Sequence, residues 1–368
     1  MNKRVAIVFL GNVLYDARCF NMVNSLLGQK CHVDVYHLAN PTLNYKKHFQ
    51  NNAFINIYSY ALYQNSWLLF LMWFLKIKIN LKLNYNTIIA ADLYSLMGVV
   101  SLWKSQNIIY DSRDIFTELP FVNRKTIKKY VWSFLECLGL LFVKSVVTTA
   151  NSDTFFLKNK YKFLQLKYYT IFNFPLQHVI NKKKHLHNHF NLDYNKKILL
   201  YQGCIQKERG LNIMMDYIKN NENVYGVVIG GGHDLEYYKN ISVQKQIDDR
   251  FFFYGKTEYK NLLKLTSSAD LGCAFIRPSS INHCNALPNK IFEYSNAGIP
   301  VIGSNLPNIS TYIKNYNMGA VVNIFDTSSI TKTIDCLLSQ SKKYDNQKNF
   351  LSWQSQENSF LKIVFSNE

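Results

Sequence analysis

Val5–Leu10 is an unbroken apolar run that stops at Gly11-Asn12, the pattern of a strand covered on both faces. A helical stretch, Asp16–Gln29, follows, and then the alternating HVDVYH of His32–His37 predicts a second strand. Further strands are predicted at Asn86–Ala91, Asn107–Tyr110 and Val146–Ala150. Helical periodicity lies between them at Trp67–Lys82, Tyr94–Gln106 and Thr126–Lys144. After Asn173-Phe174-Pro175 the polar, basic stretch of residues 181–197 reads as a solvated linker. A second alternation then begins. Its strands are Ile198–Tyr201, Val224–Ile229, Phe251–Tyr254, Leu271–Ile276, Val301–Gly303 and Ala320–Asn323, with a helix at Asn289–Asn296. Strands alternating with helices imply a parallel sheet with helices on both faces. The expected fold class is therefore α/β, as two doubly wound Rossmann-like units facing a cleft. The expected boundaries are residues 1–175, a linker at 176–197, a second unit at 198–350, and a C-terminal helix within 351–368 packing back on the first unit. Ligands in such sheets bind at the carboxyl ends of the strands.

Composition changes this picture in one respect, charge. The net charge is +18, and the first 180 residues carry 20 Lys and Arg against 8 Asp and Glu. That asymmetry points to an anionic partner: a phosphate-bearing substrate, an acidic membrane face or nucleic acid. No nucleic-acid-binding motif accompanies it, which sets nucleic acid aside. The apolar run Trp67–Leu75 is too short to span a bilayer, but Lys76, Lys78 and Lys82 follow it. Together they suit an interfacial helix, as does the segment Arg124–Phe142. The apolar part of the N-terminal MNKRVAIVFLGN is too short for a signal peptide and is expected to be the first strand. Seven scattered cysteines with no C-x-x-C pair argue for a reducing compartment and against a disulfide framework or zinc site. His185, His187 and His189, spaced by two in a Lys-rich stretch, read as solvated and not as metal ligands.

The strongest chemical signal is NALPNKIFEYSNAGIPVI, Asn285–Ile302. Leu287 and Pro288 lead into a helix that Asn289 is expected to cap, presenting free N–H groups to a diphosphate. Lys290 adds a point charge there. Glu293, one turn on, is placed to accept hydrogen bonds from two ribose hydroxyls, and Gly298 ends the helix. This block resembles the donor-site motif of GT-B glycosyltransferases, in particular the family 4 branch. YQGCIQKERGL (Tyr201–Leu211) is similar to the first donor loop, and the resemblance makes Gly203 and Arg209 diphosphate contacts. VVIGGG resembles the next glycine turn, with Gly231 and Gly232 as donor contacts. Phe253–Gly255 and Ala269-Asp270 resemble the segments that flank the base. Many relatives have Glu where Asn285 stands, contacting the transferred sugar, and Arg where Cys204 stands.

In the first half, YDSRDIFTE (Tyr110–Glu118) and AADL (Ala90–Leu93) resemble acceptor-side loops, which puts Asp92, Asp111 and Arg113 there, while Gly11 and Asn12 follow the first strand, where close backbone approach to a ligand needs Gly. Asp92 is expected to hydrogen-bond the acceptor hydroxyl. Arg113 cannot act as a base, and is expected to position an anionic acceptor or a leaving phosphate. Asp16 and Arg18 read as a pair at a helix start, with Asp16 as its cap. Arg209, Lys290, Asp92 and Arg113 are thus the candidate catalytic set. The resemblance implies a retaining transfer of sugar from a nucleotide diphosphate to a glycan hydroxyl. With the charge and the two apolar segments, it gives a lipid-linked or oligosaccharide acceptor in cell-surface polysaccharide synthesis. The expected location is cytoplasmic, peripheral on the inner membrane face. No Asp-x-Asp pair is evident, so no cofactor or metal is expected. A nucleotide-sugar epimerase or hydrolase of the same fold, or a non-catalytic glycan-binding partner, is the alternative.

Overall fold

The computed structural model describes residues 3–61, 66–82, 84–100, 107–119, 122, 126–177, 184–340 and 351–366. Arg124, the expected helix end at 101–106, residues 178–183 of the expected linker, and 341–350 lie outside the described residues, as does the side chain of Trp67. The chain divides into two compact units, Met1–Asn173 with Trp353–Glu368, and Phe174–Ser352.

The first unit contains strands β1 (Arg4–Phe9), β2 (His32–Leu38), β3 (Ile55–Tyr60), β4 (Thr87–Ala90), β5 (Asn107–Ser112), β6 (Ser145–Thr148) and β7 (Lys167–Thr170). Its helices are α1 (Ala17–Gly28), α2 (Ser66–Asn80), α3 (Leu93–Val100), α4 (Thr126–Leu140) and α5 (Asn151–Lys160). The sheet order is β3-β2-β1-β4-β5-β6-β7, and every pairing is parallel. Val5 to Val8 are fully buried, as a strand with helices on both faces requires. Strands β3 and β7 lacked a clear sequence signal. Both are edge strands, only partly buried and rich in Tyr, so neither carries the apolar run of a central strand.

The second unit begins with α6 (His185–Phe190) and β8 (Lys197–Cys204). It continues with α7 (Leu211–Lys219), β9 (Val224–Gly231), α8 (Leu235–Gln244), β10 (Phe251–Gly255), α9 (Tyr259–Thr266) and β11 (Leu271–Ala274). It closes with α10 (Ile281–Cys284), α11 (Asn289–Asn296), β12 (Val301–Ser304), α12 (Pro307–Asn315), β13 (Gly319–Val322) and α13 (Thr327–Ser339). Its parallel sheet runs β10-β9-β8-β11-β12-β13.

Helix α6 corrects the expectation of a solvated linker. Leu186 and His187 are buried, the Phe190 ring stacks on Phe252 at 5.0 Å, and His189 meets Tyr254 at 4.6 Å. Apolar Leu and Phe among polar neighbours dock this stretch against β10. The last helix, α14 (Trp353–Phe365), belongs to the first unit. Trp353 is buried and donates from Nε1 to Ser25 Oγ at 2.7 Å, while Thr87 Oγ1 donates to the Val364 carbonyl at 2.8 Å.

At the carboxyl end of β9 the backbone passes very close to β8. A Cβ on Gly230 (φ +146°) would lie 1.9 Å from the Gly203 carbonyl oxygen. Gly230→Ala is therefore expected to cost at least about 2 kcal/mol, from backbone strain and a clash that no side-chain rotation relieves. Urea unfolding with an unchanged slope and a lowered midpoint is the expected observation.

Candidate functional site

In the second unit, strand order reverses between β8 and β11, and the chain directions leave a crevice at their carboxyl ends. Gly203 lies at the end of β8, Gly231 at the end of β9 with Gly232 next to it, and Asn285–Asn289 follow β11. Gly232 is required by close approach, since a Cβ there would lie 2.2 Å from the Ile205 carbonyl oxygen.

Helix α11 carries the two charged candidates. Ile291, Phe292 and Tyr294 are buried apolar anchors, and Lys290 and Glu293 lie one turn apart. Both are only 9 % exposed. Lys290 Nζ has no hydrogen-bond partner and rests 3.6 Å from the centroid of the Tyr201 ring. A Cβ on Gly203 would come within 3.9 Å of that Nζ, so the glycine at the end of β8 abuts the lysine. Burial, and then the charge of Arg209, pull the Lys290 ammonium down to about 7. Burial pushes the Glu293 carboxyl up to about 7, against the Gln202 hydrogen bond and the Lys290 charge. An unpartnered buried ammonium beside a carboxyl that resists ionisation marks this as the candidate ligand site.

Gln202 was not among the expected site residues. Its Nε2 donates to Glu293 Oε2, and its Oε1 accepts from Thr266 Oγ1 at 2.8 Å. The amide therefore fixes the carboxylate from β8. Its position directly before Gly203 was the available signal. Asn289 does not cap α11: Pro288 holds the cap position, no side chain caps the helix, and Asn289 is its first residue. Proline has no side-chain acceptor, so the first N–H groups of α11 have no side-chain cap. Gly298 does end the helix, at φ +69°. Arg209 lies on a short 3-10 turn after β8, before Gly210 (φ +72°), where a Cβ would strike Phe275. The carbonyl of Asn285 accepts from Asn308 Nδ2 at 2.6 Å, which pins the loop containing Leu287. Ala269-Asp270, expected to flank the base, lies instead at the amino end of β11, where Asp270 accepts from the Ile198 amide at 2.9 Å.

In the first unit, Gly11, Asp92 and Arg113 follow β1, β4 and β5, three neighbouring strands, at their carboxyl ends. Asn12 caps a 3-10 turn by accepting from the Leu14 amide at 3.0 Å. Asp92 accepts from the Leu10 amide at 2.9 Å and the Ser95 amide at 2.6 Å, and burial pushes it up to about 6. Asp16 caps α1 through the Cys19 amide at 2.7 Å. It does not pair with Arg18. Arg18 instead binds Asp111 at 2.6 Å, both buried, and Arg113 bridges Asp111 at 3.2 Å and Asp16 at 2.8 Å. Arg113 also lies 4.4 Å from the Phe9 ring centroid. Asp111 and Arg113 are thus members of one ionic network, whatever they contact beyond it. Among the described residues, no three His, Cys, Asp or Glu side chains gather as a metal site.

Two outcomes follow from these geometries. Against burial, Arg18 and Arg113 hold Asp111 below its ordinary 3.8, so its stabilisation is full above that value and is lost as acid protonates it. Arg18→Ala leaves the buried carboxylate to Arg113 alone and is expected to cost about 3 kcal/mol at neutral pH, the loss shrinking in acid. Glu293 shows the opposite sign. Its carboxyl rises from 4.5 to about 7, so the fold favours the protonated form and loses stability as pH climbs through that range. Glu293→Gln is expected to stabilise the ligand-free protein at pH 8 by about 1–3 kcal/mol, with little difference in acid. Thermal unfolding across pH checks both.

A family model for glycosyl transferases group 1 matches residues 182–350. Chitobiosyldiphosphodolichol beta-mannosyltransferase from Candida albicans is 26 % identical over 238 residues, which is 60 % of this chain and 49 % of that protein. The chain thus spans about half the length of the curated relative it matches. Sucrose-phosphate synthase from Thermosynechococcus elongatus superposes with a TM-score of 0.77 at 13 % identity, covering 100 % of both chains. HepE from Anabaena, in complex with UDP-glucose, gives 0.68 at 13 % identity over 98 % of this chain and 95 % of that one. A glycosyltransferase from Rickettsia africae gives 0.67 at 15 % identity over 100 % of both. At these identities the structural likeness is one of fold, and it is the fold expected from the sequence: two parallel sheets of the GT-B type. Residues 182–350 thus match the glycosyl transferases group 1 family model, on a chain of GT-B fold.

Proposed function

We propose that this protein transfers a sugar from a nucleoside-diphosphate donor to a hydroxyl of a glycan acceptor. The observation that carries the proposal is the buried pair on α11, with Lys290 lacking any hydrogen-bond partner and Glu293 held by Gln202. A diphosphate beside Lys290 and Arg209 would supply the missing counter-charge. Ribose hydroxyls donating to Glu293 would favour its ionised form. As the sugar leaves, negative charge grows on the diphosphate, and fixed cations in a desolvated site stabilise that charge most. HepE holds UDP-glucose and the Candida relative is named for a dolichol-diphosphate substrate, which supports a nucleotide sugar and a lipid-linked glycan as classes.

The finer reading is also ours. Transfer retains anomeric configuration, needs no metal, and serves a cell-surface glycan on a lipid carrier at the cytoplasmic membrane face. Asp92 orients the acceptor hydroxyl, and Gly11, Asn12, Asp111 and Arg113 shape that side. Among the described residues no helix is long and apolar enough to cross a membrane, so any attachment through them is peripheral. NMR of the product anomer tests retention; turnover abolished by a chelator would overturn metal independence.

Donor binding is tested by thermal shift against UDP, GDP and ADP and their sugars. A nucleotide far above its Kd is expected to stabilise the protein by roughly 3 kcal/mol. Glu293→Ala should weaken that nucleotide about 10–100-fold, as loss of hydrogen bonds to a charged acceptor requires. At pH 8 the free Lys290 is largely neutral, so binding should take up a proton, detectable by calorimetry in buffers of different ionisation enthalpy. No stabilisation by any nucleotide would remove the proposal.

A further inference from the structure

Two helices of the first unit show apolar side chains to solvent that neither the fold nor the candidate site uses. On α2, Leu68, Leu71, Leu75 and Ile79 are exposed at helical spacing, while Trp73 and Ile77 on the opposite side enter the core. On α4, Ile127, Val131, Phe134 and Leu138 form a second exposed stripe, continued past the helix end by Leu141 and Phe142. Ile127 is 81 % exposed and Phe134 is 63 % exposed, values far from those of core residues.

The stripes adjoin. Both helices pack on α3: a Cβ on Gly98 would sit 3.2 Å from Ile77 of α2, and one on Gly139 of α4 would sit 2.5 Å from Met97. The Phe70 ring of α2 meets the Trp132 ring of α4 edge-on at 5.2 Å. The result is a platform of two adjoining helices, each with an apolar stripe at helical spacing and not apolar residues scattered singly.

Its charge identifies the occupant. Lys76, Lys78, Lys128 and Lys129 lie on these helices, and Lys82 and Lys144 follow them. The one acid on either helix, Glu136, is fully buried and bound to Tyr110, Lys160 and Tyr161. Neither helix therefore shows a carboxylate to solvent, although Lys129 reaches Glu118 at 2.6 Å. A second copy of the chain would set cations against cations. An anionic bilayer accepts both the apolar stripes and the lysines, with the exposed Tyr130 suited to the headgroup level.

We infer that the α2–α4 platform is the membrane-docking surface, taking up an anionic lipid face with the side chains of both stripes inserted. This deepens the membrane placement proposed above and rests on it, but it is independent of sugar transfer. The experiment is flotation of the full chain with phosphatidylcholine vesicles, with and without phosphatidylglycerol. Wild type is expected to float with the anionic vesicles. Ile127→Ser with Phe134→Ser is expected to lower the bound fraction at least 10-fold, and Lys76→Glu with Lys78→Glu to abolish the preference for phosphatidylglycerol. Phe325→Ser, an exposed aromatic of the second unit, should float as wild type. Equal flotation of Ile127→Ser/Phe134→Ser and wild type overturns the assignment, as does wild type that never floats. A concentration-dependent dimer that the same variant dissolves, without flotation, would identify the platform as a self-interface. The nucleotide thermal shift, run on each variant, separates the two proposals: its loss in every protein with flotation intact removes sugar transfer and leaves the docking surface standing.

Discussion

The Tyr294 hydroxyl sets the geometry of the second unit. It accepts from the Gln202 amide at 3.0 Å and reaches the carbonyls of Leu200 and Cys273 at 3.3 and 3.2 Å, so one side chain of α11 ties together β8 and β11. The ring fits only because residue 272 is glycine, where a Cβ would lie 2.3 Å from it. Once that bond fixes the rotation of α11, Ile291 and Phe292 enter the core. Lys290 and Glu293 are then held against the end of β8, beside Tyr201 and Gln202. A hydroxyl buried among backbone groups is costly to leave unsatisfied, so the docking admits little drift.

The same docking makes the site unfavourable when empty. Burial depresses the Lys290 ammonium and raises the Glu293 carboxyl, and neither shift helps the folded chain near neutral pH. Charge held out of water without a full set of partners is the signature of a site shaped for a ligand at the expense of stability. The first unit treats its charges differently. Asp16, Arg113, Asp111 and Arg18 satisfy one another in a chain of ion pairs and stabilise the loops after β1 and β5. Within the first unit Asp92 is the exception, a buried carboxyl pushed up to about 6.

The apolar surface of α2 and α4 follows from a related constraint. The core takes Trp73 and Ile77 from α2 and Leu140 from α4, which leaves the outward stripes to solvent or to a partner. Their lysines, with the single acid turned inward, are the basis for proposing an anionic partner.

Much of the fold was legible in the sequence because a central parallel strand must be apolar on both faces, as Val5–Val8 and Leu199–Tyr201 are. Helix α11 was legible as well, since its periodic run starts after a proline and ends at Gly298. The edge strands β3 and β7 escaped because half-exposed strands carry no such run. Helix α6 escaped because its buried residues are embedded in Lys and His. Tertiary structure alone decided that Arg18 pairs with Asp111, 93 positions away, and that Gln202 positions Glu293. It alone placed Asp270 at the amino end of its sheet and Pro288, not Asn289, at the helix cap. Local sequence fixes periodicity and turn chemistry. Which polar groups meet across tens of residues depends on strand order and helix docking, and these are set only when the whole sheet assembles.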